Sequence, residues 1–202
     1  MSNSSASRRS FLAASLAAGA SLALTGPTHA LTTQQAAALI DQVVSDINQV
    51  INSGRSEAQM LREFERIFAR YGDVPIIARS ALGAAARTAS GGQIAAFTDA
   101  FSGYISRKYG RRFREFIGGE IKVQQARPYK NFFEVRTVAY LRGREPLEVI
   151  FLVSDRSGRN LFFNIFVEGV NMLASERTEI GAMLDQRRGN IDALTADLRK
   201  MG

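Results

Sequence analysis

Glu120-Ile121-Lys122-Val123-Gln124 is the stretch on which the fold turns. Upstream of it apolar residues recur every three or four positions, whereas here Ile121 and Val123 alternate with charged and polar neighbours. A period near 3.6 marks a helix with one buried stripe, and a period of two marks a strand with one buried face. The chain therefore passes from helices into a sheet just after Gly118-Gly119. Working outward, a second strand is expected over about 131–142, with Phe133, Val135, Thr137, Ala139 and Leu141 on one side. A third runs over about 146–154, with Leu147, Val149, Phe151 and Val153 on one side, and a fourth over 161–167. Asp155-Arg156-Ser157-Gly158 supplies turn residues, and connections this short imply an antiparallel meander.

On the N-terminal side, Ala36, Ile40, Val43, Val44, Ile47, Val50 and Ile51 define an amphipathic helix. Ser56 with Gln59, and Ser90 with Gln93, have the spacing of capping boxes and open two further helices. The second of these carries an aromatic face of Phe97, Phe101, Tyr104 and Ile105, and Gly110 interrupts it. Between them, Asp73 and Pro75 start a short helix that Gly83 ends. After the strands, Ile180, Met183 and Leu184 form one helical stripe, and Asn190 caps a last helix buried through Ile191, Leu194 and Leu198. The expected class is α+β: a twisted antiparallel sheet of about four strands wrapped by N-terminal and C-terminal helices. In the third and fourth strands both faces are apolar, so helices cover both sides or one side lines an apolar cavity between sheet and helices.

The 202 residues contain no cysteine and one histidine, His29. Residues 1–30 hold no acidic side chain, carry Arg8-Arg9, and run from Phe11 to Leu24 in Ala, Leu, Ser and Gly. That pattern reads as an export signal, and Ser7-Arg8-Arg9-Ser10-Phe11-Leu12 gives it a twin-arginine character. The apolar run is shorter than the roughly 20 residues a membrane span needs. Cleavage is expected after Thr28-His29-Ala30, leaving residues 31–202 as one domain. Two of the 26 Lys and Arg leave with the signal and none of the 19 acids does, so the net charge falls from +7 to +5.

Processing would remove the histidine, and with it a serine triad and the usual zinc and copper sites. No glycine loop of the phosphate-cradling kind follows a strand. Asp73, Asp99, Glu134, Glu148, Asp155 and Glu168 are the carboxylates that acid–base work would draw on. Most of them sit among polar neighbours as surface groups do, and Glu168, at a strand end, suits a structural hydrogen bond. The basic run Arg107, Lys108, Arg111, Arg112 and Arg114 is interleaved with Tyr109 and Phe113, a composition shared by nucleic-acid and anionic-lipid surfaces. Export favours lipid, and no nucleic-acid partner is expected.

The ordered set Ile76-Ile77-Ala78-Arg79-Ser80-Ala81-Leu82-Gly83, then Gln93 with Phe97, Phe101 and Tyr109, then Ile165-Phe166-Val167-Glu168-Gly169-Val170, Arg177, Ile180 and Ile191-Asp192-Ala193-Leu194 resembles the MlaC family, also called the toluene-tolerance auxiliary family. The resemblance spans about residues 35 to 200. The chain departs from it at Ala85-Ala86, where the family carries an aromatic pair, at Asn160 in place of Trp, and at Asn164 in place of Asp. What the resemblance implies is a periplasmic phospholipid carrier, working as a monomer between an outer-membrane lipoprotein and porin complex and an inner-membrane ABC lipid transporter. It implies no cofactor, metal or catalysis, with acyl chains held between sheet and helices and the headgroup near solvent.

Strand parity then assigns the lipid-lining positions to Phe97, Phe101, Tyr104 and Ile105 of the helix and to Phe133, Val135, Val149, Phe151, Phe163 and Ile165 of the sheet. Inverted parity would substitute Phe132, Ile150, Leu152, Phe162 and Phe166. Arg107, Lys108, Arg111 and Arg112 are offered as contacts for a partner or a headgroup. Two other readings remain open. One is a small cone-shaped enzyme using Glu134 or Glu148 with Tyr104 or Tyr140 on an apolar substrate. The other is an envelope adaptor protein with a filled core.

Overall fold

The computed structural model describes residues 31–201, apart from the side chains of 112–114. The export segment expected over 1–30 lies outside the described residues. Six helices and five strands follow in the order α1 (Thr33–Ile51), α2 (Glu57–Tyr71), α3 (Val74–Leu82), α4 (Gly91–Gly110), β1 (Glu120–Tyr129), β2 (Phe132–Tyr140), β3 (Leu147–Ser154), β4 (Leu161–Val167), β5 (Val170–Asn171), α5 (Met172–Gln186) and α6 (Ile191–Leu198). Short 3-10 segments, Gly83–Arg87 and Arg111–Phe116, follow α3 and α4.

The helix starts have local causes. Ser56 and Ser90 close capping boxes with Gln59 and Gln93, Asp73 accepts from the Ile76 amide, and Asn171 and Asn190 cap α5 and α6. Gly83 turns the chain after α3 at φ 65°, and a Cβ there would stand 3.3 Å from the Arg177 Nε, so two of the sequence pieces noted above meet in space.

The sheet is an antiparallel meander ordered β1-β2-β3-β4-β5. Five strands replace the expected four because the two-residue β5 pairs with Phe166 and Val167. Val135, Thr137 and Ala139 of β2 pair with Phe151, Val149 and Leu147 of β3 on one face, the inner one. Buried side chains from all six helices join Val135, Ala139, Phe151 and Val153 in a single cluster, so the helical layer lies against this face. Leu152 and Leu161 are buried outside that cluster. The opposite face carries ion pairs from Arg127 to Glu134 (2.5 Å), Arg136 to Glu148 (3.0 Å) and Lys122 to Glu120 (2.9 Å).

Strand parity changes in β4. Leu152 pairs with Asn164, but Val153 pairs with Phe162, so one extra residue is accommodated as a bulge. Phe162, expected on the face opposite Val153, is thereby carried inward, where its ring lies edge-on to Phe151 at 5.6 Å. Among the described residues, no helix is long and apolar enough to cross a membrane.

Candidate functional site

The inner face is closed at its deep end and half-open at one corner. Deep inside, Phe97 and Phe101, one helical turn apart on α4, are completely buried and stacked at 5.6 Å. They share one cluster with Tyr104, Val135, Phe151 and Phe162. The apolar space expected between sheet and helices is filled here by the protein's own side chains. Toward the end where β3 begins and β4 finishes, Leu147, Val149, Ile165 and Val167 are only half-buried. Leu173 of α5, whose amide donates to Asn164 Oδ1 beside Ile165, borders the same corner and is half-buried as well, and Ile105 of α4 is half-buried against the core.

Five of the ten expected lining residues, Phe97, Phe101, Tyr104, Val135 and Phe151, are therefore core, Ile105 is half-buried against it, and Val149 and Ile165 edge the corner. Phe133 is half-buried against the core. Phe163, at the bulge, also touches the core, and its ring lies edge-on to Phe132 at 5.3 Å.

The basic positions divide. Arg107 was expected at a partner or headgroup; instead its guanidinium donates to the carbonyls of Leu198 and Met201 (both 2.8 Å), closing the C-terminal end of α6. Lys108 is half-buried rather than displayed. Arg111 is exposed. Arg112 has its side chain outside those described.

Lys108 sits in a polar cluster that joins the end of α4 to the first turns of α5, beside the corner. Its ammonium donates to Glu176 Oε1 (2.7 Å) and Glu179 Oε2 (2.5 Å) and lies 5.4 Å from the ring centres of both Tyr104 and Tyr109. The Tyr104 hydroxyl donates to Glu179 Oε1 (2.6 Å), and the Tyr109 hydroxyl donates to Glu176 Oε1. Glu176 is 4% exposed, and its Oε2 has no hydrogen-bond partner among the described residues.

Burial, then the hydrogen bond to Glu179, pushes the Tyr104 phenol up to about 12. Burial and the bond to Glu176 likewise raise Tyr109. Burial alone would lower Lys108, but its bonds to Glu176 and Glu179 outweigh that and hold it above the ordinary lysine range. Glu179 is held below the usual carboxylate range, because bonds from Lys108 and Tyr104 outweigh the effect of burial. Each of these shifts moves a pKa further from 7, so Lys108 and Glu179 hold their charges, the two phenols hold their protons, and the cluster suits charge recognition better than proton transfer at pH 7.

This cluster was missed in the sequence, although one signal was there. Glu176 stands four residues before Ile180 and eight before Leu184, on the buried stripe of its helix. The carboxylates considered for catalysis are placed elsewhere: Glu134 and Glu148 lie in ion pairs on the opposite face, with Tyr140 exposed. Glu168 accepts from the Glu148 amide (2.5 Å), the structural bond expected of it. A separate recess of about 320 Å³ between α1 and α2 is lined by Asp46, Arg55, Glu63, Arg66 and Arg70 among others, a lining that suits polar ligands rather than acyl chains.

The fold agrees with what comparison with known proteins returns. A family model described as MlaC protein matches residues 37–200. The chain belongs to the MlaC family. A solved structure of a phospholipid-binding protein from Ralstonia solanacearum, in complex with a phospholipid, superposes with a TM-score of 0.69 at 16% identity, covering 82% of this chain and 95% of that one. At that identity the likeness carries the fold, a sheet meander with its helices, across to this MlaC chain. Asn164 is buried and hydrogen-bonded: its Oδ1 accepts from the Leu173 amide (3.1 Å), and its Nδ2 donates to Asn171 Oδ1 (2.9 Å), which caps α5.

Proposed function

We propose that this protein is a periplasmic phospholipid carrier that hides acyl chains between its helical layer and the inner face of its sheet. The observation that carries the reading is the graded burial of one continuous apolar face. It runs from sealed Phe97, Phe101, Val135 and Phe151 to half-open Val149, Ile165 and Leu173. Family membership and the lipid bound by the Ralstonia protein support it.

The physical need is large. Two acyl chains hold roughly 30 methylenes, each costing about 0.8 kcal/mol to expose to water, so a free lipid faces a penalty on the order of 20 kcal/mol. Removing that penalty takes an apolar compartment and no reactive group. Loading proceeds by tails entering at the corner and displacing side-chain contacts in the deep cluster, while the headgroup stays at the polar rim.

In this reading the chain is exported through a twin-arginine signal and cut after Ala30. As a monomer it exchanges lipid with an outer-membrane lipoprotein and porin complex and with an inner-membrane ABC transporter, and it performs no catalysis. Native mass spectrometry of the processed protein, followed by organic extraction, tests the central claim. One phospholipid per chain is expected. Protein that carries no lipid, and that takes none from labelled vesicles, refutes it.

A further inference from the structure

The cluster at the corner has the parts of an ammonium receptor, and the protein's own lysine occupies it. Two carboxylates, Glu176 and Glu179, supply acceptors, and two phenol rings, Tyr104 and Tyr109, supply negative faces at 5.4 Å from the bound nitrogen. Among the described side chains the cluster sets two carboxylates against one ammonium, an excess of acceptors. The excess has a location: Glu176 Oε2 is buried and has no donor among the described residues. On its other side the site opens to solvent, since the Glu179 side chain is 42% exposed and that of Lys108 26%. Glu176 lies one turn from Leu173, so the cage and the apolar corner meet on the first turns of α5.

We propose that this cage seats the primary ammonium of a phosphoethanolamine headgroup, which takes the place of the Lys108 ammonium and lets Lys108 turn onto the lipid phosphate. The inference rests on the carrier reading and adds its headgroup specificity. The exchange conserves what the site needs. One N–H-bearing cation replaces another on Glu176 and Glu179, and the released lysine meets a phosphate instead of water. A phosphocholine group fits worse, because its quaternary nitrogen has no N–H to give the two carboxylates, of which Glu176 is already out of water. An anionic phosphoglycerol group offers no cation at all. Drawing Lys108 to its phosphate would leave the buried Glu176 uncompensated.

The test loads processed protein from vesicles of equal parts phosphatidylethanolamine, phosphatidylcholine and phosphatidylglycerol, and reads the headgroups of the extracted lipid. Enrichment of phosphatidylethanolamine by about tenfold over each of the others is expected, the factor that one charge-assisted hydrogen bond supplies. Lipid recovered in vesicle proportions overturns the cage and leaves the carrier standing, whereas a protein that takes no lipid ends both. Glu176→Gln brings the ratio toward the vesicle composition, and Glu179→Gln, at a more exposed position, shifts it the same way. Lys108→Met removes the resident competitor and keeps or sharpens the preference. A preference that survives both glutamine variants unchanged overturns the assignment, because a cluster that only braces α4 against α5 has no reason to read headgroups.

Discussion

Replacing Lys108 by Met removes the only cation from the described part of the cluster and leaves the Glu176 carboxylate, whose side chain is 5% exposed, without its counter-charge. Breaking a buried pair from one side costs roughly 3–5 kcal/mol. The low end applies here, about 3 kcal/mol, because Lys108 is a quarter exposed and Tyr109 still donates to Glu176. Equilibrium urea unfolding at pH 7 measures the loss, and a double-mutant cycle with Glu176→Gln assigns it. Once residue 176 is neutral, losing the lysine strands only the exposed Glu179, so the double variant should be more stable than additivity predicts by about 2 kcal/mol. The pH profile has a defined sign on each side. Glu179 has a lowered carboxylate pKa, so its contribution is in full above the ordinary value of 4.5 and is lost as pH falls through the depressed one. Tyr104 has a raised pKa, so its contribution is in full below 10.0 and is lost as pH climbs toward about 12. Tyr104→Phe abolishes that alkaline loss. Additive behaviour in the cycle, or a Lys108→Met deficit below about 1 kcal/mol, refutes the claim that this network is a buried, charge-compensated unit.

Val149→Asp places a charge on the half-open corner, where water still reaches it; lipid uptake from vesicles should fall at least tenfold, with a stability loss of only about 1–2 kcal/mol in urea. Phe101→Ala empties a fully buried site and should cost about 3–5 kcal/mol in the lipid-free protein, with a smaller deficit in melts of the lipid-loaded form, whose tails refill the space. Arg107→Ala releases the carbonyls at the end of α6 and should cost about 1–2 kcal/mol, with hydrogen exchange quickening first over 191–201. Leu31 N lies 2.9 Å from Asp155 Oδ2, so the proposed cleavage after Ala30 would convert an amide contact into an ammonium–carboxylate pair. Asp155→Asn should therefore destabilise the processed chain more than the uncut one, and intact mass should start at Leu31.

Much of the fold was legible because its signals are local. The capping boxes at Ser56 and Ser90 and the caps at Asp73 and Asn190 state where helices begin, and the change of period at Ile121 states where the sheet begins. The bulge in β4 was not legible. Phe162 and Phe163 are both apolar, so an inserted residue leaves no break in the polar alternation from which parity is read. The two-residue β5 is too short to have a period. At the site, Phe97, Phe101 and Tyr104 were legible as one inward face of α4 from their spacing; the lipid-lining role expected of them is not a matter of spacing, because a packed core and a lipid-lined wall present the same apolar stripe. The fate of the basic run did not. Whether Arg107 faces a partner or a carbonyl depends on where α6 ends in space, and whether Lys108 is displayed or caged depends on Glu176, far along the chain.

The placement of the cluster also bears on how tails get in. The helical layer is held tightly elsewhere: α4 packs on α2, α3 and α6, and α5 packs on α3. Between α4 and α5, beside the half-open corner, the described links are the hydrogen bonds of Tyr104, Lys108 and Tyr109 to Glu176 and Glu179. Parting close-packed apolar surfaces exposes them to water at about 25 cal/mol per Å². Parting long polar side chains exposes groups that water rehydrates, and an incoming zwitterionic headgroup can supply the same bonds before they are fully lost. A polar seam such as that between α4 and α5 therefore costs less to part than an apolar one of the same area. The groups that hold it shut are the ones a phosphoethanolamine lipid is equipped to take over.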